Sequence, residues 1–298
     1  MDSAIRAIGL RKEFGSSAAL DGLDLDVQVG EVFGFVGPNG AGKTTTIRIL
    51  LDLLRPTAGE VEVLGLHPRR DGVVLRRRIG YLPGDLALPS KLTGRQFLAD
   101  QAAARGQQLD DRCNELAARL SADLDRALGE LSLGNRRKIG VIAAFAHRPE
   151  LLVLDEPTSG LDPLVQQTFR DLVREAAVEG RTVFLSSHVL DEVQHTADRV
   201  GVLRAGRLVA VDRVDTLLTK VVRHARITFS GPPPLDELRT VPGVVEATAD
   251  GIDGVRVVLE GPAGKLLEAL APHHPVDLHL GEPDLEDVFL GYYRAGDA

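Results

Sequence analysis

The sequence predicts an α/β fold followed by a smaller α+β module, and three observations carry that prediction. Short β-branched or apolar runs alternate with longer helical patterns over the first two thirds of the chain. One of those runs, Val32–Val36, leads straight into a glycine-rich turn and then a helix. From about residue 222 the rhythm changes to short, closely spaced strands.

Each element follows from local chemistry. Val32–Val36 is a strand, and Thr45–Leu54 is a helix that Pro56 and Gly59 bring to an end. Leu151–Leu154 and Thr182–Leu185 are continuous apolar runs, the pattern of strands covered on both faces in a mostly parallel sheet. Residues 92–146 read mainly as helix, within a helical subdomain of about 86–146 set beside a mixed sheet core. Thr93 and Asp110 are its candidate N-caps, and Leu116, Leu120 and Leu124 recur at i, i+4 spacing. This organises residues 1–218 as one domain and 222–298 as a second. In the second, Ala225–Phe229 (strand), Leu235–Arg239 (helix), Val244–Ala249 and Val255–Leu259 (strands), Gly264–Leu270 (helix) and Val276–Leu280 (strand) spell βαββαβ, a ferredoxin-like order. Glu282–Tyr293 reads as an amphipathic helix, capped by Asp284, with Leu285, Val288, Phe289 and Tyr292 on one face.

Composition narrows the function classes. The 298 residues are 44% hydrophobic and 26% charged, enough to build sizeable cores. A net charge of −8 argues against broad electrostatic binding to nucleic acid or anionic lipid. The single Cys113 excludes an intramolecular disulfide framework and a cysteine-based zinc finger, and suits a reducing compartment. No run of about 20 apolar residues occurs and the first residues lack a secretory pattern, so no direct membrane insertion is expected. His273-His274 has no ligand partners at useful spacing and reads as solvated.

The chemistry concentrates in two motifs. Gly37-Pro38-Asn39-Gly40-Ala41-Gly42-Lys43-Thr44 fits G-x-x-x-x-G-K-[ST] between a strand and a helix, with Thr45 next in line. The glycines let successive N–H groups curl inward around a phosphate chain, and the helix adds its positive end. Lys43 would meet the β- and γ-phosphates of a nucleotide, and the Thr44 hydroxyl would hold Mg²⁺. Leu151-Leu152-Val153-Leu154-Asp155-Glu156 places one carboxylate at a strand end, where Asp155 can reach the metal. The adjacent Glu156 can act as general base on water.

Three further segments carry a resemblance. Leu131-Ser132-Leu133-Gly134-Asn135, followed by Arg136-Arg137-Lys138, begins its serine 23 residues before Asp155. Ser159-Gly160-Leu161-Asp162 and Ser187-His188 follow in order. Together with the phosphate loop these resemble the signature, D-loop and switch histidine of the ATP-binding cassette (ABC) proteins. The resemblance implies an ATPase using ATP and Mg²⁺ in a composite site. There Ser132 and Gly134 of one cassette complete the nucleotide site of a partner, either a second copy or a related cassette. It implies that Asp162 belongs to that site, that His188 senses the γ-phosphate, and that Phe14, 29 residues before Lys43, stacks on adenine.

The chain departs from the family pattern twice. Leu133 and Asn135 replace a signature glycine and glutamine, and the Q-loop glutamine aligns with Gly84 in Gly80-Tyr81-Leu82-Pro83-Gly84-Asp85. Asp85 is the candidate to replace it at the metal through water. Across nearly the whole chain the sequence is similar to bacterial exporter cassettes of the drug- and antibiotic-resistance group. This resemblance implies transmembrane permease subunits in a separate chain and a peripheral place on the cytoplasmic face of the membrane. Nucleic acid is not an expected partner. A soluble ABC switch and an importer cassette stand as alternatives.

Overall fold

The computed structural model describes residues 2–219 and 222–281, which divide into two units between Val211 and Asp212. The amphipathic helix expected at Glu282–Tyr293 lies outside the described residues.

The first unit opens with β1 (Ser3–Phe14), β2 (Ser17–Gln28), β3 (Val32–Val36), α1 (Lys43–Leu50), β4 (Ala58–Val63), α2 (Gly72–Arg78) and β5 (Ile79–Leu82). Three helices follow, α3 (Gly94–Ala104), α4 (Arg112–Arg119) and α5 (Leu133–Phe145). The chain then returns to strands with β6 (Leu151–Asp155), α6 (Pro163–Val178), β7 (Thr182–Ser187), α7 (Leu190–Gln194), β8 (Arg199–Arg204) and β9 (Arg207–Arg213).

Two sheets form. β2, β1 and β4 pair antiparallel in that order. The other sheet runs β5-β6-β7-β3-β8-β9, with β5 through β8 parallel. Every residue of β3, β6 and β7 is buried, as unbroken apolar runs require when helices cover both faces. Phe33 and Phe184 stack across the β3–β7 pair at 5.9 Å, which holds the register Phe33↔Phe184 from the side-chain side. Because the pairing is parallel, the ends of β3, β6 and β7 come out on one edge, and the loops that leave them meet there.

Helix boundaries depart from the expectation in two places. α1 starts at Lys43 rather than Thr45 and stops at Leu50 rather than Leu54. Asp52 turns left-handed (φ 57°), and the N–H groups of Leu53 and Leu54 fold back onto the Arg48 carbonyl, closing the helix before Pro56 is reached. Gly42 precedes the helix at φ 113°. A Cβ there would lie 2.7 Å from the Ala19 carbonyl, so only glycine lets the loop enter the helix. Thr93 caps α3 in a reciprocal capping box with Gln96. For α4 the N-cap position is Asp111; Asp110, one residue earlier, accepts from the Arg112 N–H at 3.3 Å.

The second unit holds α8 (Val214–Thr219), β10 (Val222–Thr228), α9 (Leu235–Leu238), β11 (Val244–Ala249), β12 (Gly254–Glu260), α10 (Gly264–Leu270) and β13 (Asp277–Leu280). Its four strands run β11-β12-β10-β13, every neighbour antiparallel, in the chain order βαββαβ. Ala225, Ile227, Val255, Val257 and Leu259 on one sheet face meet Leu238, Leu266 and Leu270 of the helices in a core of its own. His273 is not simply solvated. The turn after α10 brings its Nε2 to 2.8 Å from the Glu237 carboxylate of α9, a partner 36 residues away.

Candidate functional site

The site is built where β3, β6 and β7 end. After β3 the loop 37–42 curls tightly: a Cβ on Gly37 would meet the Leu203 carbonyl at 2.4 Å, and the Ala41 N–H closes onto the Pro38 carbonyl at 3.1 Å. Gly40 takes φ 81° and Asn39 faces the depression described below. Lys43, in the first turn of α1, is 6% exposed. Its ammonium donates to the Gly37 carbonyl at 2.6 Å and the Pro38 carbonyl at 3.4 Å, and lies 3.5 Å from Glu156 Oε1. A buried ammonium needs such partners, and the loop carbonyls with one carboxylate supply them. Thr45 follows Thr44 on α1, partly buried.

At the end of β6, Asp155 is almost fully buried and both its oxygens are engaged by hydroxyls. Thr44 donates to Oδ2 at 3.0 Å and Ser186 to Oδ1 at 2.5 Å. Glu156 takes a left-handed backbone (φ 49°), which is costly for a residue with a Cβ and is often found at functional positions. Its N–H donates to the Ser186 carbonyl at 3.1 Å, while Oε2 lies 2.6 Å from Nδ1 of the half-exposed His188. Lys43, Glu156 and His188 thus form one chain of contacts. Thr44, Asp155, Glu156 and His188 share a depression of about 380 Å³ with Tyr81 and Asp85. Burial beside the Asp155 carboxylate pushes the Tyr81 phenol above its usual pKa.

The other expected site residues fall in three places. Gly84 approaches Asp155 so closely that a Cβ would lie 3.2 Å from Oδ2, while Asp85 is exposed at the same depression. Ser132 and Gly134 are not among the residues that line it. Ser132 caps α5, accepting from the Asn135 N–H at 3.3 Å, and a Cβ on Gly134 would stand 2.7 Å from the Gly160 carbonyl. The signature therefore leans on the chain's own D-loop, with Leu133 63% exposed beside it. Asp162 is likewise outside the depression and caps α6, accepting from the Val165 N–H at 3.0 Å. Phe14 ends β1, 53% exposed, with the Lys12 ammonium 4.9 Å from its ring centre. That exposure removes a core-packing role for this aromatic.

Sequence reasoning missed three residues. Ser186 holds Asp155; its position two before His188 is the only hint of it. Glu192, buried below His188, accepts from the Ser187 hydroxyl at 2.7 Å, and burial pushes its carboxyl above the ordinary range. Arg137, read only as part of a basic helix start, is buried against the backbone at the ends of β5 and β6. A second depression, of about 400 Å³, lies between α3 and the end of α5 around Leu98, Arg105 and His147, and no motif residue borders it.

A phosphate-binding loop after β3, a carboxylate pair at the end of β6 and a histidine facing them, all at the carboxyl edge of a parallel sheet, define a P-loop nucleoside triphosphatase. The comparisons specify which kind. Residues 20–159 match the family model described as "ABC transporter". The daunorubicin resistance ATP-binding protein DrrA3 of Streptomyces coeruleorubidus is 36% identical, over 97% of this chain and 95% of the relative. The bacitracin transport ATP-binding protein BcrA of Bacillus licheniformis is 37% identical over 99% of both. A solved ATP-binding subunit of an ABC transporter superposes with a TM-score of 0.67 at 27% identity, covering 72% of this chain and 92% of that one. The chain belongs to the ATP-binding subunits of ABC transporters and is an ATPase of that family. No helix among the described residues is long and apolar enough to cross a membrane.

Proposed function

We propose that this chain powers the export of a drug- or antibiotic-like compound through a separate transmembrane permease. In this reading it works as a pair of cassettes, two copies or one copy with a related cassette, on the cytoplasmic face of the membrane. ATP lies between the phosphate loop of one cassette and Ser132 and Gly134 of the other. The observation that carries the pairing is the separation, within one chain, of the signature from the depression that Thr44, Asp155, Glu156 and His188 share. The cargo class follows the relatives, whose names speak of daunorubicin resistance and bacitracin transport at 36% and 37% identity over nearly the full length.

The residues suggest how the site works. Loop N–H groups and Lys43 receive the β- and γ-phosphates. The arriving phosphate competes with the Glu156 carboxylate for Lys43, which loosens the pair now at 3.5 Å and frees Glu156 to accept a proton from the attacking water. His188, on the other side of that carboxylate, donates to the γ-phosphate and registers its loss. Phe14 offers a ring face to adenine. The Thr44 hydroxyl and Asp155 carboxylate, 3.0 Å apart and both oxygen donors, suit Mg²⁺, with exposed Asp85 within reach through water in place of the Q-loop glutamine. Bound there, the metal would neutralise charge between the β- and γ-phosphate oxygens.

Affinity purification from detergent-solubilised membranes tests the reading. A co-purifying polytopic membrane protein that raises the ATPase rate supports it. A chain that hydrolyses ATP alone and brings down no membrane protein contradicts it, and a substrate-binding lipoprotein in the complex would point to import.

A further inference from the structure

The most completely used side chain around the site is Arg137. It is 3% exposed and makes no ion pair among the contacts of the described residues. Its five N–H donors go to five backbone carbonyls instead. Nη1 reaches Pro83 at 2.6 Å and Gly84 at 3.0 Å; Nη2 reaches Asp155 at 2.7 Å and also Glu156; Nε reaches Pro157 at 3.3 Å. A guanidinium has five donors in a rigid fork, so its capacity is matched one for one.

The five carbonyls belong to two separate segments. Three are consecutive, at 155–157, and enclose Glu156, whose left-handed φ of 49° must be imposed from outside because the residue carries a Cβ. The other two are in the 83–84 segment, where Gly84 comes against the Asp155 carboxylate. The arginine itself rides on α5, which Ser132 caps and whose first turn carries Gly134. One side chain therefore ties the signature helix, the Q-loop segment and the strained turn that aims Glu156.

We infer that Arg137 is a positioning residue for hydrolysis, holding the 155–157 backbone so that the Glu156 carboxylate faces the attacking water, and linking that aim to α5 and to the 83–84 segment. Arg137 touches no reacting atom. A shift of α5 on meeting the partner's nucleotide passes through the guanidinium to Glu156, and a shift of the 83–84 segment passes the same way. The inference rests on Glu156 being the base, as proposed above.

The test uses the full chain with ATP and Mg²⁺, comparing Arg137→Lys, Arg137→Gln and Glu156→Gln with wild type. For both Arg137 variants the expected kcat is about 10²-fold lower, the loss a misplacement of about 1 Å can cause. KM for ATP stays within about twofold, and a thermal melt shows a folded protein at the assay temperature. Arg137→Lys retains the charge but has three donors at one point, so it recovers little of the loss. A wild-type kcat in either Arg137 variant overturns the inference. So does a loss confined to KM, and so does failure of both variants to fold, which would make Arg137 purely structural. Glu156→Gln separates the two levels: if it also turns over like wild type, the base assignment fails and the positioning role falls with it. If it is inactive while the Arg137 variants are active, only the inference on Arg137 fails.

Discussion

Lys43 Nζ and Glu156 Oε1 stand 3.5 Å apart across the gap between the phosphate loop and the end of β6, with the lysine 6% exposed. In the proposed mechanism the residue that grips phosphate is held by the residue that activates water. Each restrains the other until a phosphate arrives, and the Glu156→Gln variant separates the two roles. It should bind ATP at least as well as wild type and hydrolyse it about 10²–10⁴-fold more slowly. It should also accumulate as a dimer in ATP. Turnover assays and size-exclusion chromatography check this, and wild-type turnover would remove Glu156 from the base role.

Phe14 is exposed at the end of β1, which suits a stacking platform better than a core position. Phe14→Ala is expected to weaken ATP binding by the worth of one aromatic–base stack, about 1–3 kcal/mol. Phe14→Tyr should leave it unchanged. Titration with a fluorescent ATP analogue measures both, and an alanine variant with unaltered affinity would send adenine elsewhere.

Gly134 has no room for a side chain because the Gly160 carbonyl lies 2.7 Å from its would-be Cβ. Gly134→Ala must push the D-loop away from the signature, at a local cost of about 1–3 kcal/mol. ATP-induced dimerisation and ATPase rate should both fall, while nucleotide binding to the isolated chain persists. Equilibrium sedimentation with and without ATP reads the first effect. Dimerisation at wild-type strength would mean that the contact between the two loops is slack.

His147, just beyond α5, has its ring pKa pushed down from 6.5 to about 4, chiefly by burial and then by the nearby Arg105. Its Nε2 lies 3.1 Å from the Ile79 carbonyl. The depressed folded value means that the unfolded chain takes up this proton first as pH falls. The stabilising contribution is therefore complete above about pH 6.5 and is lost progressively towards pH 4. Thermal melts across that window should fall more steeply for wild type than for His147→Gln. Parallel curves would show that the ring titrates as though exposed.

Much of this molecule was legible before any coordinates. Val32–Val36, Leu151–Leu154 and Thr182–Leu185 read as continuous apolar runs, and all are buried strands of the parallel sheet; the first keeps its bounds, and the other two are lengthened at their carboxyl ends by Asp155 and by Ser186-Ser187. Of those added residues, Asp155 borders the candidate site and Ser186 donates to its carboxylate. Pattern reading closed the strands early because a polar side chain there has no local reason to be extended; parallel pairing with a neighbour supplies the reason. The end of α1 was misjudged for a similar cause, since a left-handed Asp52 leaves no mark in composition.

The sequence by itself determined the phosphate loop and the acidic pair, because in each case a short run of residues sets the pattern through its own backbone and spacing, whereas Ser187-His188 stood out only through its resemblance to the family's switch histidine. It also carried the βαββαβ order of the second unit. Tertiary structure alone decided that Lys43, Glu156 and His188 form one chain of contacts, that Ser186 holds Asp155, and that Gly134 rests on Gly160. It alone turned Arg137 from one residue of a basic helix start into a buried clamp on five carbonyls. The physical reason is the same throughout. A hydrogen bond acts over about 3 Å in space whatever the separation along the chain, and residues 83, 137 and 156 become neighbours only when α5 packs beside β5 and Arg137 reaches the end of β6.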